Sequence, residues 1–447
     1  MNFFLKKVFK VLVFTSVSLF FVNTEAVSAS SCLAGDDTII NSAGCQENAN
    51  FDKRFHSVQL YNSGSVLSNA IITLNSSETL TCTFDESYPV NDSYYYTVIH
   101  CNSDWTFSEL LTAEYIRGMF DKLIDTYSPS LGTYIPYHHY EFTFPDSDFE
   151  IVLSGNYILQ VFTMNSSGEK EIKFQRRFMI AEQNVLISGK VVRAQDVERI
   201  ETHQDVQINV NTNGYRIESP YRDLDLVILQ NGRWDNALRG LKPFMVSGNS
   251  IDYTHLDGSN YFVGSNEYRY VNLTTLRGIT DVIRRIDQTD TAYYVTLWER
   301  EKRTFRAYTN TGDADGNFVI KNVDFSDGAT SGEYAWVRFF LPYDFPVTHG
   351  EVYVAGAFNG GVYNEDNLMR YNYVRKGYIK EILLKQGYYD YMFALLPYDS
   401  NSADFTFFEG NHSETENVYL ILLYQRKPGE IYDRLIGTQS MRYPENR

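Results

Sequence analysis

Short runs of β-branched and aromatic residues, each closed by Gly, Pro, Asn or Asp, recur along this chain and point to an all-β fold. Residues 57–61, 70–74, 79–84, 94–100, 140–144, 155–162 and 174–180 read as strands of a first domain. Further runs stand at 207–210, 224–229, 268–271 and 293–297, then at 335–341, 352–359, 378–384, 389–393 and 418–424. The 35 Tyr and 30 Phe suit half-buried sheet surfaces. Only 108–122 carries a helical signal: Ser108 can cap it, and Leu110, Leu111, Tyr115 and Phe120 give a partial apolar face. Strands at this spacing predict β-sandwiches, and 447 residues suit about three domains. We expect three consecutive β-sandwich, immunoglobulin-like domains at 51–182, 183–329 and 330–447, with one short helix in the first.

The N-terminus reads as a targeting segment. Lys6, Lys7 and Lys10 precede an apolar core at 11–22, and Val27-Ser28-Ala29 offers a small-residue cleavage site, so residues 1–29 are a signal peptide. That core is too short for a comfortable membrane span, and no other stretch approaches such a length uncharged. The expected product is soluble and periplasmic, begins with a polar leader at 30–50, and is a monomer. A lipid anchor at Cys32 is disfavoured, because Ala29 stands where a lipobox wants a large aliphatic residue. The formal charge of −17 is spread without a basic cluster, which argues against a nucleic-acid partner. Export permits disulfides among Cys32, Cys45, Cys82 and Cys101, with three connectivities open. Cys82 and Cys101 sit on two runs that read as a hairpin, which makes them a candidate pair.

Catalytic and metal chemistry find little support. His138 and His139 alternate to opposite faces of a strand, poor geometry for one metal. No Gly-x-Ser-x-Gly elbow marks a nucleophile. Asp313-x-Asp315-Gly316 opens like a calcium loop but lacks the later ligands and closing Glu, so it reads as a tight turn. Thr202-His203-Gln204 reads as a buried hydrogen-bond network. Asn231, Arg233 and Trp234 invite a similar reading, with Glu267 as the expected carboxylate for Arg233. No cofactor, catalytic residue or metal ligand is assigned, and the chain is not read as an enzyme. Residues 352–359 resemble the opening of early-set, glycogen-binding-type modules, with Gly360 or Gly361 in place of their Trp. This makes an exported glycan-binding protein the alternative function.

Eight motifs stand in order: His100-Cys101-Asn102-Ser103-Asp104-Trp105, Tyr137-His138-His139-Tyr140, Leu153-Ser154-Gly155-Asn156-Tyr157, Thr202-His203-Gln204, Gln230-Asn231-Gly232-Arg233-Trp234-Asp235, Asn266-Glu267-Tyr268-Arg269, Gly356-Ala357-Phe358-Asn359 and Leu384-Lys385-Gln386-Gly387-Tyr388-Tyr389. The series resembles the type IX secretion system plug protein family of Bacteroidota, over about 51–437. The resemblance implies a periplasmic plug that occludes the large outer-membrane translocon barrel while no cargo passes. That barrel would be the partner. It also implies structural roles for these motif residues and no catalysis.

Overall fold

A computed structural model describes residues 46–90, 92–325 and 327–444. The expected signal peptide, Cys32, Cys45 and most of the leader lie outside the described residues. Strands dominate and the α-helices are single turns of four residues, so the all-β expectation holds.

The first domain is a two-sheet sandwich. One sheet runs Ala49–Asn50, Lys170–Ala181, Gly155–Met164, Tyr94–Cys101, Lys122–Ile124, with Ile71–Thr73 added parallel to Lys170–Ala181. The facing sheet runs Phe55–Asn62, Leu80–Ser87, Tyr137–Phe144, Tyr127–Pro129. Alternation sends Phe84, Tyr94, Tyr140 and Phe174 into the space between. Phe84 stacks on Tyr140 at 4.7 Å and Tyr94 stands edge-on to both rings. Leu80–Ser87 is buried at all eight positions, so its other face is covered as well.

Three expectations for this domain need correction. The helix at 108–122 shrinks to Thr112–Tyr115, followed at once by the strand Ile116–Gly118. The Glu114 carboxylate accepts from Leu111 N at 2.7 Å and Tyr115 is buried, but β-type pairing with Phe149–Ile151 claims the next residues. The Cys82–Cys101 disulfide does not form; both thiols are free and buried. Their strands belong to opposite sheets and are not a hairpin. Residues 46–50, assigned to a flexible leader, include the edge strand Ala49–Asn50.

The other two domains are interleaved in sequence. The strand Leu224–Gln230 pairs with Leu238–Leu241 on one side and with Asn417–Gln425 on the other, and Arg434–Tyr443 extends that sheet. Its partner sheet holds Leu186–Arg193, His203–Asn211, Tyr261–Val263, Ser250–Asp252 and Met245–Ser247. Val206, Ile208, Leu226 and Ile228 share one core with Tyr419, Ile421 and Leu423. In the third sandwich Arg269–Asn272 pairs with Gly387–Pro397, which also pairs with Phe318–Ile320 and Gly350–Ala355. The opposite sheet runs Ile283–Gln288, Tyr293–Leu297, Tyr334–Pro342, Gly377–Lys385, Arg370–Asn372. Strand pairing therefore crosses the expected boundary at 329/330. The middle sandwich takes its last two strands from the C-terminus, and the third is inserted between its halves.

Candidate functional site at the domain seams

Each sandwich touches the other two, and polar or aromatic clusters fill the three seams. Between the first and middle domains, two sheets pack outer face to outer face. Cys101, Ile158, Met179 and Ala181 meet Val227, Leu229, Leu420, Leu422 and Leu435 in one dry cluster. Trp105 is 2% exposed and meets Trp234 edge-on at 4.9 Å, while the Arg177 guanidinium lies 4.3 Å from the Trp105 ring. Tyr424 donates to Asn156 Oδ1 at 2.7 Å, and Asp433 Oδ2 accepts from Ser103 N at 2.9 Å. The His100 ring lies 3.1 Å from the Ser154 carbonyl and edge-on to Tyr432 at 5.4 Å. Burial pushes the His100 pKa down to about 4, so the ring is neutral. Gly155 is required here: its φ is +137°, and a Cβ would sit 2.6 Å from His100 Nε2.

Between the first and third domains the centre is Asp85. Its Oδ2 accepts from Lys385 Nζ at 2.6 Å and from the Tyr334 hydroxyl at 2.7 Å, and its Oδ1 lies 2.6 Å from His139 Nδ1. Asp85 and Lys385 side chains are each 1% exposed. Burial alone would raise the Asp85 carboxyl, but the Lys385 charge and the His139 and Lys385 hydrogen bonds hold it below its usual value. Lys385 also donates to the Ala329 carbonyl and lies 4.1 Å over the Tyr137 ring, whose hydroxyl donates to Gly332 O at 2.9 Å. Every donor of this buried ammonium thus has an acceptor or a π-face.

The seam between the middle and third domains is built on Arg233. The Arg233–Glu267 pair does not form: Arg233 forks onto Asp235, at 3.0 and 2.6 Å, because the turn brings that carboxylate within two residues. Arg233 also donates to Ala403 O at 2.8 Å and lies 3.7 Å over Phe405 of the third domain. Asp235 Oδ2 accepts from Ala403 N at 3.0 Å, so one ion pair clamps both domains. Asn231 and Gly232 adopt left-handed φ of 50° and 68°, and Asn231 bonds Asn417 and Val418 N at 2.8 Å each. Glu267 accepts from Glu416 N at 3.1 Å and from the Tyr308 hydroxyl; burial pushes it up to about 7. Arg269 pairs instead with Glu409, as does Arg303. Burial would raise the Glu409 carboxyl, but those two cations hold it below its usual value.

The residues at these seams can be compared with known proteins. A model of the type 9 secretion system plug protein first domain matches residues 55–182, the first sandwich. A crystal structure of a hypothetical protein from Parabacteroides merdae is 33% identical, covers 89% of this chain and 99% of its own, and superimposes with a TM-score of 0.85. This chain belongs to the type 9 secretion system plug protein family. A collagen adhesin from S. aureus aligns at only 8% identity and a TM-score of 0.10, over 89% of this chain and 97% of its own. No curated protein matches the sequence.

In this plug-family chain several of the sequence motifs meet at the seams. His100, Cys101, Trp105 and Trp234 lie between the first and middle domains, and Tyr137 and Lys385 between the first and third. Arg233 joins the middle domain to the third, whereas Asn231 ties two strands of the middle sandwich together. His138 stacks on Tyr127 at 4.3 Å, and Tyr140 lies in the first core. His203 accepts or donates with the Thr202 hydroxyl at 2.8 Å. Gln204 is fully buried, donates to Ser413 O and Thr415 O at 2.9 and 2.8 Å, and accepts from Asn417 and Tyr419. Asn359 holds a tight loop by donating to Val362 O at 3.0 Å. There Gly360 and Gly361 turn with φ of 74° and 71°, and the loop is tied to the segment before the first domain's edge strand by Asn48 Nδ2 donating to Gly360 O at 2.9 Å. Sequence reasoning passed over Asp85, Tyr334 and Glu409. The one available signal was an acidic pair, Asp85-Glu86, inside an otherwise strand-like run.

Proposed function

We propose that this chain is a periplasmic plug that occludes the outer-membrane translocon barrel of the type IX secretion system while no cargo passes. Family membership supports the secretion role. The observation that carries the occlusion reading is the closed set of three seams, each sandwich locked to the other two. A body that blocks a wide opening by occupancy must resist bending, and three mutually braced sandwiches do so where a row on single hinges would not. The motif residues act as braces, and we assign none of them to catalysis. Export by a signal peptide over 1–29 fits a site of action on the periplasmic side.

Conductance of the reconstituted translocon, with and without the mature chain, tests the reading. A fall in open-channel current on adding the chain is expected. Unchanged leakage at saturating protein removes the occlusion role.

A further inference from the structure

One end of the third sandwich gathers several exposed apolar side chains. Three segments meet there: the loop at 298–306, the loop at 343–345 and the turn at 370–376. Tyr343 N donates to Lys376 O at 3.1 Å, and the Tyr371 hydroxyl donates to Asp344 O at 2.8 Å. Lys302 Nζ lies 5.4 Å from the Tyr343 ring and 5.7 Å from the Phe305 ring, which ties the third segment in. The tips are apolar and open to solvent: Phe305 89% exposed, Phe345 77%, Tyr373 77% and Val374 93%. Scattered apolar residues are ordinary on a surface, but four large ones at adjoining loop tips mark an interaction site.

The charge there is also local. The three segments hold seven Lys and Arg against three Asp and Glu, in a chain of formal charge −17. Behind the turn lies an open groove of about 530 Å³ that includes Arg338, Arg370, Arg375 and Lys380. Arg338 pairs with Glu381 and Arg370 with Glu365. Lys380 donates to a backbone carbonyl, and Arg375 reaches Glu299 only at 3.5 Å. Glu365 and Glu381 line the same groove and neutralise Arg370 and Arg338, and Arg303 is turned inward onto Glu409, so Arg375, Lys376 and Lys380 are the cations left just behind the apolar tips.

We propose that this end of the third sandwich docks on an anionic phospholipid surface. Phe345, Tyr373, Val374 and Phe305 enter the interface, and Arg375, Lys376 and Lys380 meet headgroup phosphates. Projecting tips need no complementary pocket, which a bilayer does not offer and a protein partner does. The acidic remainder of the chain is repelled by the same surface, so the basic end is turned toward it. This inference does not rest on the occlusion reading, because it concerns a lipid surface and not the pore.

Flotation of the mature chain with vesicles tests it. The chain should float with vesicles of equal parts phosphatidylglycerol and phosphatidylcholine, and not with phosphatidylcholine alone. Phe345→Ser/Tyr373→Ser/Val374→Ser should cut the bound fraction roughly tenfold or more, as should Arg375→Glu/Lys376→Glu. Val197→Ser, at an exposed site in the middle domain, should bind as the unaltered chain does. These side chains are exposed, so melting curves should be unchanged and a folding defect is separable from lost binding. Absence of flotation, or flotation that survives both multiple variants, overturns the proposal. So does capture by polyglutamate that the mixed vesicles fail to compete, which would make the partner an acidic protein.

Discussion

Asp85 and Lys385 are 300 residues apart in sequence and share one hydrogen bond in a buried seam. Removing one partner leaves the other charge buried, which costs about 3–5 kcal/mol. Lys385→Met and Asp85→Asn should each lower the unfolding free energy at pH 7, measured by urea titration, by that order. The double variant should lose clearly less than the two losses combined, and simple additivity would show that the pair does not couple the domains. His100 gives a prediction in pH. Its folded pKa of about 4 lies below the usual 6.5, so the folded state resists protonation. Its contribution is full above pH 6.5 and is lost as pH falls toward 4, a change of about 3 kcal/mol. Glu267 and Asp390, pushed by burial up to about 7, act in the opposite sense: what they contribute is full at low pH and lost as pH rises through 7. The decisive measurement is thus the difference between the chain and His100→Gln across pH 4–7, and an identical slope for both would refute the assignment. The motif residues were legible because they are polar or aromatic where strand-forming apolar residues are expected. Their partners were not. Arg233 could be seen to need a carboxylate, but only the left-handed Asn231-Gly232 turn decides that Asp235 supplies it.

Strand existence was legible because alternation is local, and most expected runs are strands. Strand partners are set by contacts far apart in sequence, so the first hairpin was misassigned and Cys82 was placed opposite Cys101. The helix at 108–122 was over-read for a related reason: a partial apolar face is satisfied equally by one turn and a short edge strand. The segment 46–50 was read as leader from its polar composition, yet those polar groups serve as acceptors. Gln46 O accepts from Arg177 Nε at 2.6 Å, Ala49 O from Arg176 Nη1 at 3.1 Å, and Asn50 Oδ1 from Arg176 Nη2 at 2.7 Å. Burial pushes both arginines down to about 10, so each depends on such acceptors. A chain starting at Phe51 should lose about 2–4 kcal/mol of stability by denaturant midpoint. A chain starting at Gln46 should match the full mature protein, and equal stability of the two would show that the segment is a passive leader.

At the scale of the molecule, the order of domains in sequence is not their order in space. The core of the middle sandwich needs Tyr419, Ile421 and Leu423, residues beyond the whole third sandwich. A fragment of 183–329 therefore exposes the edge of Leu224–Gln230, a strand buried at six of its seven positions, and loses one wall of its core. Such an edge is a template for aggregation. That fragment should be insoluble, whereas 46–182 carries both sheets of its own sandwich and should remain soluble, with a lower midpoint because Trp105 and Asp85 lose their partners. Joining 183–266 directly to 413–447 by a short Gly-Ser linker restores the missing wall: Gly264 already lies so close to His412 that a Cβ there would fall 2.0 Å from the His412 carbonyl oxygen. Recovery of soluble, cooperatively unfolding protein from that joined chain, against none from 183–329, is the expected pair of results. Soluble, folded 183–329 would mean that the inserted arrangement is dispensable. If it is indispensable, the third sandwich cannot swing away without straining two adjacent crossings of the chain, and the three sandwiches should move together.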